Sequence, residues 1–124
     1  MATSNVERNE SAVCISATKV NGTDVYSSEG EKIGHVDDIM LNKRTGSVAY
    51  AIMGFGGFLG MGERYHPLPW SVLTYDTERE GYVVPLAKAR LEEAPSYTPA
   101  ELGKDDRRWR DMVFTYYNVP PYWM

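Results

Sequence analysis

The side chains able to react or to coordinate a metal are few and scattered. His35 precedes the pair Asp37-Asp38, His66 stands far along the chain between Tyr65 and Pro67, and Cys14 is the single cysteine. One imidazole and two surface carboxylates make a weak ligand set without a third nitrogen or sulfur donor. The spacing reads instead as polar strand surface, with one of the two aspartates capping backbone donors. No Ser, Cys or Lys has a base at an activating spacing, so no catalytic residue, metal ligand or cofactor is assigned.

A second candidate is glycine-rich. Residues 47–70, SVAYAIMGFGGFLGMGERYHPLPW, carry no charge from Ser47 to Gly62, and Gly54, Gly56, Gly57, Gly60 and Gly62 punctuate the second half. The glycines do not form G-x-G-x-x-G, and no Gly-Lys-Ser/Thr follows, so a phosphate cradle is excluded. The stretch reads as a wide hairpin whose tip residues Phe58, Leu59 and Met61 fold back onto the domain. The alternative is an exposed tip that meets a partner protein or a membrane surface.

Composition bounds the rest. A chain of 124 residues with 43% hydrophobic and 24% charged residues suits one domain with a modest core. Net charge of −4 is the wrong sign for life on phosphate backbones, and nucleic acid is an unfavoured partner. A lone cysteine forms no internal disulfide and fits a cytoplasmic protein. The N-terminus lacks the pattern of a secretory signal, and no uncharged stretch is long enough to cross hydrocarbon as a helix.

The elements that must position these residues are mostly short strands. Residues 1–18 read as a mobile arm. Turns at Val20–Thr23 and Glu29–Lys32 bracket a strand at Val25–Ser27. Ile33–Leu41 reads as a strand in which a bulge near Asp37-Asp38 resets the alternation, closed by the turn Asn42–Gly46. Ser47–Met53 is apolar on both faces and so is central or covered. Pro67 and Pro69 remove ladder donors, placing Arg64–Trp70 at an edge or bend with Leu68 and Trp70 inward. Val72–Tyr75 and Tyr82–Pro85 flank a polar turn. Five or six short, mostly antiparallel strands over residues 19–86 predict an all-β fold, a small closed or half-closed barrel.

Residues 87–124 change to helix. Ala87–Glu93 is one or two turns, Thr98-Pro99-Ala100-Glu101 is a capping box, and Trp109, Met112, Val113, Tyr116 and Tyr117 form an apolar stripe. With Phe114, Tyr122 and Trp123 they offer more apolar area than one short helix needs for a small barrel. The tail either folds back onto its own barrel or crosses to a second copy, and the reading favours self-association through Trp109, Met112, Val113, Tyr116, Tyr117, Tyr122 and Trp123. Arg107, Arg108 and Arg110 are offset by Asp105, Asp106 and Asp111, which reads as a solvated face.

The order Gly30, Ile33-Gly34, Asp37-Asp38, Gly46, Gly57-Phe58-Leu59-Gly60, Pro69-Trp70 and Ala94-Pro95 resembles the PRC-barrel family in its bacterial stand-alone form. Pro67, where a branched aliphatic residue is usual, is a departure. The resemblance covers roughly Val20 to Tyr97 and implies a small β-barrel like those in the cytoplasmic part of the photosynthetic reaction centre H subunit and in the ribosome maturation factor RimM. In both the barrel is a docking module. The chain has neither the membrane helix of the first nor the extra N-terminal barrel of the second, so neither activity is transferred. The expectation is a non-enzymatic, cytoplasmic docking or adaptor module, a homodimer or higher oligomer that binds an unidentified bacterial protein or assembly. The rival readings are a ribosome- or RNA-associated factor and a barrel that binds a small molecule or lipid.

Overall fold

The computed structural model describes residues 14–55, 64–102 and 106–120. The tip residues Phe58, Leu59 and Met61, the tail residues Tyr122 and Trp123 and the side chain of Trp109 lie outside what is described. A short helix α1 (Ala17–Val20), capped by the Ser16 hydroxyl on Lys19 N, falls in the stretch from which an arm and a turn were expected. Strands β1 (Asp24–Tyr26), β2 (Lys32–Leu41), β3 (Val48–Phe55) and β4 (Arg64–Pro69) follow. A single tight turn at Trp70–Val72 then leads into β5 (Thr74–Asp76) and β6 (Gly81–Val83). Helices α2 (Lys88–Glu92), α3 (Pro99–Leu102) and α4 (Asp106–Tyr117) complete the described chain.

The strands form one sheet in the order β4-β3-β2-β1-β6-β5. It is mixed and curled without closing: β1 and β6 run parallel, Val25 beside Tyr82 and Tyr26 beside Val83, while every other described pair is antiparallel. The fold is thus the mostly β, PRC-type architecture expected, with the half-closed form in place of the closed one.

The bulge lies where the sequence puts it. The β2–β3 register runs evenly to Val36 opposite Met53 and then skips Asp37, so that Asp38 faces Ile52. One extra residue restores Ile39 to the inner face beside Ala51 and turns Asp38 and Met40 outward. Asp38 Oδ1 accepts from Ile39 N at 2.8 Å, the backbone capping expected of this pair.

Strand β3 is buried from Ala49 to Gly54 because both of its faces are covered. Its inner face joins Val25, Val36, Leu68 and Leu91 in the main core. Its outer face, Tyr50 and Ile52, joins a second cluster with Val113 and Phe114 of α4. β4 takes the edge, as its prolines require, with Leu68 fully buried. Trp70 is only half-buried: it opens the tight turn after β4 and leans edge-on against Tyr82 at 5.5 Å. The expectation of an inward Trp70 is corrected to a side chain at the rim of the core.

Candidate interaction surface

The outer face of β2, β3 and β4 is where the C-terminal extension meets the barrel. Three devices position the extension. The first is at the edge of β4, where Tyr65 and Tyr97 exchange backbone hydrogen bonds of 2.9 and 2.8 Å. This pairs the exposed edge with the segment that follows α2 and leaves fewer free donors there. Arg64 fixes the same segment, donating from Nε to Ser96 Oγ at 2.7 Å and from Nη2 to the Ser96 carbonyl at 2.8 Å.

The second device is the capping box at the start of α3. Glu101 Oε1 accepts from Thr98 N at 2.7 Å and Thr98 Oγ1 accepts from Glu101 N at 3.2 Å. The Thr98 amide, then its hydroxyl, holds the Glu101 carboxyl below the usual range, and Arg64 at 3.5 Å adds to this.

The third is the end of α4. Asn118 takes a left-handed φ of 55°, and its amide and that of Val119 bond back to Thr115 and Phe114 at 3.1 and 3.2 Å. This is a Schellman ending, with the Val119–Phe114 contact that accompanies it. A 12-residue helix is marginal alone in water, so α4 depends on what it packs against.

Val113 and Phe114 are buried at 0% and 4% exposure against Ala49, Tyr50 and Ile52. Tyr117 and Val119 pack against both this cluster and the main core. Tyr116 points to α2, its hydroxyl donating to the Arg90 carbonyl at 2.6 Å with the Arg90 guanidinium 5.7 Å over its ring. Two points of the sequence reading change. The buried face of α4 is centred on Val113, Phe114 and Tyr117, one step round the helix from the expected stripe, and Met112 is left 55% exposed. Of the two fates of the tail, the structure shows Val113 and Tyr117 packed on the barrel of the same chain.

Two buried groups went unnoticed in the sequence. His66 is 3% exposed on the inner face of β4, opposite Met53 and edge-on to Phe55 at 5.1 Å, with no partner for Nδ1 among the described residues. Burial, then the positive charge of Arg64, lowers its pKa to about 4, so the ring is neutral. The Tyr117 hydroxyl is likewise buried without a partner, and burial, then neighbouring Tyr116, pushes its pKa up. Alternation alone gives the signal for His66: two residues before inward Leu68, it must point inward. The described residues place neither His66 nor Tyr117 in a cluster of metal-ligating groups. No described helix is long and apolar enough to cross a membrane.

A small, partly open β-barrel with one outer face sealed by a C-terminal helix is a protein module of a recognisable class. The chain belongs to the PRC-barrel domain family, whose pattern it matches over residues 14–91, well over half its length. PRC-barrel domains are general modules, often involved in interactions and in general not catalytic. Among curated proteins there is no match. Helices α3 and α4 lie beyond the matched span, so the surface they build is this chain's addition to the family's barrel.

Proposed function

We propose that the chain is a non-enzymatic docking module that self-associates through the solvent side of its C-terminal extension. One observation carries this reading. Helix α4 seals the outer sheet face, yet the large apolar side chains left exposed among the described residues are Met112 on that helix and Met40 and Leu41 on β2. Met40 lies directly opposite Tyr50, which α4 covers, so it emerges at the margin of the helix. Met112 emerges on the other flank, where the Tyr97 hydroxyl reaches its sulfur at 4.0 Å. Methionine is flexible and polarisable, suited to a surface that is covered only part of the time.

Light scattering after size-exclusion chromatography tests the reading. The full chain elutes at twice its 14.0 kDa mass at micromolar concentration, and Met112→Glu elutes as a monomer with unchanged melting. A wild-type monomer at every concentration removes self-association from the account.

A further inference from the structure

Resting on the reading that the chain self-associates, the geometry points to a two-fold interface in which Met40, Leu41, Lys43 and Arg44 of one copy meet Asp111 and Met112 of the other. The apolar parts are the exposed residues on the two flanks of α4. The charges beside them decide the occupant.

Lys43 and Arg44 follow Leu41 almost at once, in a turn held by Asn42 Oδ1, which accepts from Arg44 N at 2.9 Å and Thr45 N at 3.2 Å. With the backbone fixed in this way both basic side chains are exposed, and neither forms an ion pair among the described residues. Asp111, adjacent to Met112, is exposed and also without an ion pair among them. One flank is therefore apolar and basic, the other apolar and acidic.

Two patches that complement each other on one chain are what a two-fold axis satisfies, because each copy then offers both halves and every contact is made twice. An unrelated partner would have to match both signs, whereas a second copy does so automatically. The nearest like charge to Asp111 on the β2 side is Asp38, and one of its oxygens is engaged by Ile39 N.

Sedimentation velocity of the full chain, at low and at raised salt, tests this. The wild-type dimer weakens as salt is raised. Arg44→Asp alone and Asp111→Arg alone each weaken it by roughly tenfold or more, and the two together restore it to within a few-fold. Melting curves of all three variants match the wild type, since both sites are exposed. A dimer indifferent to each single reversal overturns this interface while leaving self-association standing, and so does a double variant no tighter than the single ones. A wild-type monomer at all concentrations overturns the reading on which it rests.

Discussion

Tyr65 on the edge strand and Tyr97 in the segment after α2 bond to each other through both of their backbone amides, at 2.9 and 2.8 Å. This bridge ties the barrel to everything that follows it. β4 would otherwise present its edge to solvent, and the C-terminal helices would hang from α2 alone.

The bridge depends on the capping box next to it. Thr98→Ala removes the acceptor for Glu101 N and is expected to cost about 1 kcal/mol. Urea denaturation measures the loss. Thr98→Ser, which keeps the hydroxyl, should recover most of it.

Tyr117→Phe removes a buried hydroxyl that has no partner among the described residues and keeps the ring that packs on both clusters. Stability is expected to stay level or rise by up to about 1 kcal/mol, because an unpartnered buried hydroxyl is itself a cost. Tyr117→Ala, by contrast, should cost roughly 3 to 5 kcal/mol. The two variants compared by thermal melting separate the hydroxyl from the ring.

His66 makes stability fall in acid. Its pKa in the fold is about 4 against an ordinary 6.5, so the unfolded chain takes up the proton first. The stability conferred by a neutral His66 is complete above pH 6.5 and is lost as pH falls from there to about 4. The span corresponds to at most roughly 3 kcal/mol. His66→Leu should flatten the slope of unfolding free energy between pH 6.5 and 4.5, and an unaltered slope would assign the acid sensitivity to other groups.

At Gly34 a Cβ would run into the Gly54 carbonyl on β3, a backbone atom that cannot step aside. Gly34→Ala is therefore expected to cost roughly 1 to 3 kcal/mol or more. Asp37→Ala, at the residue the register skips, should cost under about 0.5 kcal/mol. Melting temperatures of the two variants rank them.

Much of this was legible in the sequence wherever the signal was local. The bulge at Asp37, the doubly covered β3, the proline-bearing edge and the Thr98–Glu101 box each follow from a few neighbouring residues. The parallel pairing of β1 with β6 did not, because it joins segments more than 50 residues apart and no local pattern records it. The buried face of α4 was misphased for a related reason. Trp109, Met112 and Tyr116 fit an apolar stripe as well as Phe114 does, and only the groove over Tyr50 and Ile52 selects Phe114. Asn118 followed by Val119-Pro120-Pro121 was a readable stop signal for the helix, and it was passed over. The site itself was half legible: the tail was identified, but the β2 flank at Met40 and Leu41 emerges only once the bulge turns Met40 outward.

The central claim is that α4 packs on its own barrel and offers its other side to a second copy. Isotope-filtered NMR on a mixture of labelled and unlabelled full chains tests both halves at once. The account predicts cross-peaks between the Met112 methyl and the Leu41 methyls across copies, with Val113–Ile52 cross-peaks only within a copy. Val113–Ile52 cross-peaks between copies, or no Met112–Leu41 cross-peak between copies, would contradict it.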